Sequence, residues 1–193
     1  MRPHPDRPAE PNTVKGHVRC EDVHVTTGNT LPQRSPALRL RPASLSDVAS
    51  IATFQTECWQ EAYRDLVPRE YLDRVSVEDR EVRWNDRLVS GTRRIALAES
   101  GNAVVGVVSW GESNEPCAPA LELMSLYVGA GQRGSGVAAA LIDRAIGETP
   151  AHLWVFEKNP RAQTFYAKHG FLFDGHRKVD PDTGLWERRF VRR

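Results

Sequence analysis

A glycine-rich segment between a predicted strand and a predicted helix is the part of this sequence best suited to bind a phosphorylated ligand. Glycines let backbone N–H groups converge on an anion, because no Cβ stands in the way. The following helix contributes unpaired N–H groups and the positive end of its dipole, and Arg133 adds a permanent positive charge. We therefore interpret the segment as a cradle for a pyrophosphate group. It runs from Leu126 to Ala138 and contains Gly129, Gly131, Gly134 and Gly136.

Two other phosphate-binding motifs fit this segment less well. A nucleotide-hydrolase P-loop needs Gly-Lys-Ser or Gly-Lys-Thr after its glycines, whereas Gly136 is followed by valine and alanine. A dinucleotide-binding fingerprint needs GxGxxG within a βαβ unit, with its last glycine in the helix. Gly129, Gly131 and Gly134 match that spacing formally. However, Gly134 precedes the predicted helix, and the upstream half of the chain is not a βαβ unit.

A second polar pair lies on a helix predicted from Asn159 to His169. Asn159 suits the N-cap position, and Pro160 suits the first helical position. Tyr166 lies on the same helix face as Asn159, two turns further along. A phenol with a pKa of roughly 10 is protonated at neutral pH and can act as a general acid. The alternative, which periodicity alone favours, is that Tyr166 is an ordinary core aromatic residue and Asn159 a plain cap.

Together, the two segments resemble the GNAT acyltransferases. The coenzyme A motif of that family is Arg/Gln-x-x-Gly-x-Gly/Ala after a strand, and the stretch from Arg133 to Ala138 fits it position by position. A second motif places asparagine, alanine, Phe-Tyr and Gly-Phe downstream, and the stretch from Asn159 to Phe171 has these residues at the expected spacing. The resemblance covers the chain from about Leu38 to Val191 and is specific from Glu122 to Phe171.

The resemblance implies an α/β fold with a mixed, mostly antiparallel central sheet of about six to seven strands flanked by helices. It also implies acetyl-CoA as cosubstrate, no metal, and Tyr166 as the general acid. Backbone groups of Leu126, Tyr127 and Val128 would bind the acetyl carbonyl and the pantetheine arm, and Asn159 would hydrogen-bond that arm. The pyrophosphate would be held by the loop residues Arg133, Gly134, Ser135, Gly136, Val137 and Ala138.

Amine acylation also needs a general base, since a free alkylamine has a pKa of roughly 10.4. Glu122 is the candidate that the sequence favours most. Strict alternation would place it on one strand face with Met124, Leu126 and Val128, and such an apolar row would raise its pKa. The alternative is a strand-end carboxylate in solvent. Glu157, which follows the next predicted strand, is a weaker candidate.

The first predicted helix carries aromatic and acidic residues in the region that walls the acceptor site in GNAT enzymes. Trp59 and Tyr63 are the candidate acceptor-binding residues, with Glu57 and Glu61 beside them. Aromatic rings and acidic groups together can hold a cationic amine. The alternative is that Trp59 belongs to the core and that the acids are solvated.

The elements that position these residues can be read from periodicity and from capping residues. Leu38–Pro42 alternates like a short first strand, and a helix capped at Ser46 or Asp47 runs to about Tyr63. Pro68 opens a second helical stretch. The other predicted helices are Val77–Val89, Gly136–Ile146 and Asn159–His169, and the other strands are Arg94–Glu99, Ala103–Trp110, Leu121–Val128, His152–Phe156, Gly170–Val179 and Leu185–Val191.

Composition divides the chain and limits its partners. Residues 1–36 are rich in proline and charge, which predicts a flexible tail before an acyltransferase domain at 37–193.

Lysine and arginine total 26 against 25 acidic residues, so no nucleic-acid or anionic membrane partner is expected. No stretch approaches the roughly 18 apolar residues of a membrane span, and the start has no signal-like apolar region. The three cysteines form no framework or metal pair, which favours a reducing, cytoplasmic setting.

These observations lead to one main hypothesis. The protein is expected to transfer an acyl group, most simply acetyl from acetyl-CoA, to a primary amine of a small molecule or of a protein or peptide. The amine would attack directly in a ternary complex, with the acceptor unidentified and a homodimer left open. The alternative is a non-catalytic coenzyme A-binding sensor or partner module of the same fold.

Overall fold

A single seven-stranded sheet organises the part of the chain that the computed structural model describes, residues 37–63, 67 and 76–193. The strands are β1 (Leu38–Pro42), β2 (Arg94–Ser100), β3 (Ala103–Glu112), β4 (Leu121–Val128), β5 (Ala151–Phe156), β6 (Leu172–Val179) and β7 (Trp186–Arg192). The α-helices of the described residues are α1 (Val48–Tyr63), α2 (Val77–Ser90), α3 (Val137–Ile146) and α4 (Pro160–Lys168). Short 3₁₀ turns precede α1 at Leu45–Asp47 and follow β4 at Ala130–Gln132.

The strand order is β1-β2-β3-β4-β5-β7-β6. Only β4 and β5 are parallel, and every other neighbouring pair is antiparallel. The expected mixed, mostly antiparallel α/β fold is therefore confirmed. No helix among the described residues is long and apolar enough to span a bilayer.

The predicted elements of the described region are present, with bounds that differ by at most two residues. β4 has the predicted bounds, and Asn159 caps α4 by accepting a hydrogen bond from the Ala162 N–H at 3.1 Å. The predicted tail at 1–36 and the helical stretch that opens at Pro68 lie outside the described residues. The division into tail and domain stays a prediction.

Two hydrophobic clusters lie on opposite faces of the sheet, because alternate side chains of a strand point to opposite sides. On one face, α3 packs Leu141 and Ile142 against Val108 and Leu153 of the sheet. Phe165 and Tyr166 of α4 border this cluster. The second cluster joins the other two helices to the opposite face and comprises Ile51, Ala52, Phe54, Trp84, Ile95, Leu97 and Val107. The sheet thus separates the side of α3 and α4 from the side of α1 and α2.

A β-bulge interrupts β4 and reverses the direction of the side chains before it. Ser109 pairs with Ser125, but the next residue of β3, Trp110, pairs with Leu123, so β4 holds one extra residue. As a result, Leu123 before the bulge and Leu126 after it pack into the same cluster. Strict alternation would have put them on opposite faces.

Candidate active site

A cleft opens where β4 and β5 diverge. The two strands share one ladder position in the described structure, Glu122 with His152, near the start of both. Beyond it the strands enclose a cavity of about 310 Å³, lined by β4 from Leu123 to Val128 and by β5 from Trp154 to Phe156. Leu126, Tyr127 and Val128, the predicted backbone-binding residues, all line this cavity, on the side of β4 that has no ladder partner there.

The cavity reaches both faces of the sheet. From the side of α4 it is lined by Asn159, Ala162 and Tyr166, and from the side of α1 and α2 it is lined by Trp59 and Tyr63 among others. Two reactants can therefore approach a common point from opposite faces of the sheet.

The glycine-rich loop borders this cavity through Arg133 and leads into α3. Gly134 and Gly136 have φ values of +77° and +89°, a region that L side chains rarely adopt. A Cβ built at either residue meets no atom within 4 Å, so open space lies in front of both. Gly136 is the N-cap of α3, and the first N–H groups of this helix, from Val137 and Ala138, are at its open end.

Arg133 and Ser135 complete the loop. The Arg133 side chain lines the cavity and pairs with Glu61 of α1 at 2.6 Å, with both side chains about 40% exposed. The Ser135 hydroxyl donates to the carbonyl of Gln132 at 2.7 Å, which holds the turn closed. The loop therefore offers converging backbone groups, a helix N-terminus and one cation, a donor set that suits a pyrophosphate.

Tyr166 and Asn159 lie on the cavity wall, as their spacing predicts. Burial raises the pKa of the Tyr166 phenol above its ordinary value, so it carries its proton throughout the neutral range. Its ring contacts Phe165 and Phe171 at centroid distances of 5.4 and 6.0 Å. The residue thus packs as a core aromatic along one edge and still lines the cavity.

The predicted environment of Glu122 is wrong in two respects. Because of the bulge, Glu122 points to the face opposite Leu126 and Val128. Its pKa is lowered rather than raised: burial raises it, but the His152 imidazole and the Ser113 hydroxyl outweigh that effect. Glu122 does not line the cavity itself.

Glu122 faces His152, which is fully buried. The His152 Nδ1–H donates to the carbonyl of Pro119 at 2.8 Å, because that carbonyl can only accept. The other ring nitrogen, Nε2, lies 3.6 Å from a carboxylate oxygen of Glu122. The pair connects β5 to β4 and to the segment before β4, at the point from which the two strands diverge.

Glu187 is a cavity carboxylate that the sequence did not indicate. It lies opposite Phe156 in the ladder between β5 and β7, which brings it to the cavity wall. Burial, with small contributions from Asp180 and Glu122, raises its pKa from 4.5 to about 7, although Lys178 at 3.8 Å opposes this shift. Neither its position at the start of the last strand nor its neighbours in sequence would single it out.

Glu157, the weaker candidate for the base, lies elsewhere. Its carboxylate forms ion pairs with Arg188 and Arg177, and these lower its pKa. It does not line the cavity, and its contacts are those of a surface ion-pair network.

Trp59 and Tyr63 form an aromatic wall with Phe156. Their ring centroids are 4.5 Å apart, and the Tyr63 ring lies edge-on to Phe156 at 5.3 Å. Burial raises the pKa of the Tyr63 phenol. Trp59 and Tyr63 are therefore half-buried: one part of each ring packs against the sheet side, and another part lines the cavity.

The chain belongs to the acetyltransferase (GNAT) family, whose model matches residues 49–171. A probable N-acetyltransferase of Mycobacterium tuberculosis is 26% identical over 144 residues, which are 72% of this chain and 82% of that protein. The uncharacterized N-acetyltransferase YuaI of Bacillus subtilis is 27% identical over 128 residues, covering 63% and 73% of the two chains.

Solved structures support the same fold. An acetyltransferase from Thermus thermophilus superposes with a TM-score of 0.61 at 20% identity, over 81% of this chain and 96% of that chain. The PaiA N-acetyltransferase of Thermoplasma acidophilum, solved in complex with coenzyme A, superposes with a TM-score of 0.59 at 16% identity, over 79% and 98%. At these identities the likeness concerns the fold alone.

Proposed function

We propose that this protein transfers an acetyl group from acetyl-CoA to a primary amine by direct attack in a ternary complex. The observation that carries the proposal is the cavity that crosses the sheet, with the glycine-rich loop at its edge and openings toward both helix layers. A cofactor arm on the side of α4 and an amine on the side of α1 and α2 would meet between β4 and β5. The curated relatives that are named as N-acetyltransferases support this class of reaction.

The loop residues fit the cosubstrate. The space in front of Gly134 and Gly136 suits the pyrophosphate, and Arg133 would exchange Glu61 for a phosphate oxygen. From Leu126 to Val128, one side of β4 has no ladder partner among the described residues, and it suits the amides of the pantetheine arm, with Asn159 beside it. The PaiA structure with bound coenzyme A is consistent with this use of the fold.

The proton transfers are assigned to residues on the cavity wall. Acetyl-CoA supplies the activated acetyl group as a thioester. Glu187 accepts a proton from the ammonium group, directly or through water, and passes it to solvent. The resulting amine bonds to the carbonyl carbon, and its second proton then leaves by the same route to Glu187. Tyr166 donates its proton to the sulfur as the carbon–sulfur bond breaks. Solvent in the open cavity then takes the proton from Glu187 and restores that of Tyr166.

Glu187 is preferred over Glu122 as the base for two reasons. It lines the cavity, whereas Glu122 does not. Its pKa of about 7 is also closer to the working pH, and general bases are most effective when their pKa lies near that pH. Glu122 remains within electrostatic range of Glu187 and raises its pKa slightly.

A thiol-release assay tests the proposal. Purified protein with acetyl-CoA and a panel of primary amines should release coenzyme A thiol, and mass spectrometry should find the amine heavier by one acetyl group. Binding of acetyl-CoA without thiol release for any small amine or peptide would instead indicate a non-catalytic coenzyme A-binding module.

A further inference from the structure

Three arginines of α2 line the cavity on the side of α1 and α2, where the acceptor amine is proposed to bind. They are Arg80, Arg83 and Arg87. Their spacing puts them on one side of the helix. Arg83 lies 3.8 Å from Asp182 of the β6–β7 turn. Arg87 lies over the ring of Trp84 at 4.7 Å, and the other arginines of this region repel it. Cations gathered on one cavity wall are stabilised by an anionic ligand more than by water.

The hydroxyl of Tyr127 adds a hydrogen-bond donor whose direction can be derived from its neighbours. The Trp84 indole N–H can only donate, and it bonds to Gln55 Oε1 at 2.8 Å. The Gln55 amide N–H therefore donates to the Tyr127 oxygen, at 2.9 Å. The Trp59 indole N–H donates to the same oxygen at 3.2 Å. Since Gln55 and Trp59 both donate to this oxygen, the O–H of Tyr127 can donate to a ligand or to water in the cavity.

Tyr127 lines the cavity on the side of α1 and α2. The Tyr127 hydroxyl and the guanidinium groups of Arg83 and Arg87 are therefore donors that line the same cavity. A carboxylate or a phosphate monoester has the acceptor oxygens to satisfy them, and arginine forks match both groups.

The β6–β7 region supplies acidic residues to the same cavity. Asp180, Asp182 and Glu187 are among the lining residues. An acceptor with an ammonium group near Glu187 and an anionic group near α2 would complement both sets of charges. A polycationic acceptor would be repelled by the arginines.

We propose that the acceptor is a primary amine that also carries a carboxylate or a phosphate, with Arg83, Arg87 and Tyr127 binding the anionic group. This inference rests on the proposed acetyl transfer. It assigns Tyr127 a side-chain role in acceptor specificity, in addition to the backbone role that the family resemblance implies.

Matched amines provide the test. Pairs that differ only in the anionic group are 4-aminobutyrate with butylamine, and O-phosphoethanolamine with ethanolamine. Amino acids with shorter spacers extend the carboxylate series, and 1,4-diaminobutane represents a polycation. We expect kcat/KM to be higher for the anionic member of at least one pair, and the preferred pair distinguishes carboxylate from phosphate.

Variants link that preference to the cavity. Arg87→Met and Tyr127→Phe should each reduce the kcat/KM ratio of anionic to neutral amine by roughly 10- to 100-fold, the usual effect of losing a hydrogen bond to a charged group. Arg144→Met is the matched control, because Arg144 is an exposed arginine of α3 that does not line this cavity. Thermal melting of each variant checks that it folds.

The outcomes separate the two proposals. Transfer to butylamine or 1,4-diaminobutane in preference to every anionic amine would overturn this inference and leave acetyl transfer standing. Transfer to no amine would refute the proposed function. Calorimetry of the anionic amines with coenzyme A-loaded protein then decides the inference. Binding that Arg87→Met weakens would support it, and absence of binding would overturn it.

Discussion

Replacing Glu187 by glutamine should stabilise the folded protein above pH 7 and slow acetyl transfer at the same time. The carboxyl group lies in the cavity with its pKa raised from 4.5 to about 7, mainly by burial. The folded state therefore favours the neutral acid, whereas the unfolded chain does not. A neutral amide of similar shape avoids the cost of ionisation but cannot accept a proton from the amine.

The magnitude follows from that pKa. The difference between 4.5 and about 7 corresponds to about 3.4 kcal/mol in favour of the neutral acid. The cavity admits water to part of this group, so we expect the free energy of unfolding to rise by about 1–2 kcal/mol in Glu187→Gln. The sign follows from the raised pKa. Below pH 4.5 the wild type pays no cost for ionising Glu187. Its free energy of unfolding falls as the pH rises from 4.5 to about 7 and stays at the lower value above that.

Urea denaturation of both proteins between pH 4.5 and pH 8 measures this difference, which should be near zero at the acid end and largest at pH 8. The matched control is Glu157→Gln. Arg188 and Arg177 lower the pKa of Glu157, so its neutralisation should destabilise the protein at pH 8. The two glutamine variants should therefore shift stability in opposite directions.

Kinetics complete the test. Wild-type kcat should rise with pH and level off above an apparent pKa of about 7, because the ionised carboxylate is the active form. Glu187→Gln should lose this dependence and be slower by roughly 10²-fold or more. An unchanged pH profile and wild-type turnover in the variant would show that Glu187 is not the base. Equal stability at pH 8 would show that its carboxylate is not penalised in the cavity.

Three further changes test the rest of the site and the domain division. Gly136→Asp should abolish acetyl-CoA binding in calorimetry, because its side chain would bring negative charge into the loop. Gly91→Asp, at a glycine of positive φ that ends α2 and lies outside this loop, should leave affinity unchanged. Tyr166→Phe should keep cofactor affinity but lower kcat by roughly 10²-fold, the low end for general acid catalysis, because a thiolate leaves tolerably well unaided; wild-type turnover would make Tyr166 a purely structural residue. Deleting residues 1–36 should leave acetyl-CoA binding intact, and a large drop in melting temperature would contradict the tail predicted from composition.

Local patterns were sufficient to predict most elements and one half of the candidate site. The glycines before α3 and the asparagine before Pro160 act through the backbone of their own segment, so their meaning does not depend on distant residues. The two-turn spacing of Asn159 and Tyr166 likewise predicted that they share a wall, which the cavity lining confirms.

The other half of the site depends on strand register, which a single strand does not encode. The bulge opposite Ser109 turns Glu122 away from Leu126. The residue types of β4 do not predict this bulge. Pairing with β5 brings Glu187 beside Phe156, and only there does burial raise its pKa.

The side of the cavity that faces α1 and α2 also could not be predicted from the sequence, because its contacts join distant segments. The direction of the Tyr127 O–H depends on a chain of hydrogen bonds that begins at Trp84 and passes through Gln55, on two different helices. The sequence by itself predicted the loop that suits a pyrophosphate, because its glycines act through local backbone geometry. The resemblance of the two motifs to the GNAT family implied the fold class and the candidate acid. Tertiary structure alone decided which carboxylate and which donors face the acceptor, because desolvation and hydrogen-bond direction arise only when distant segments pack together.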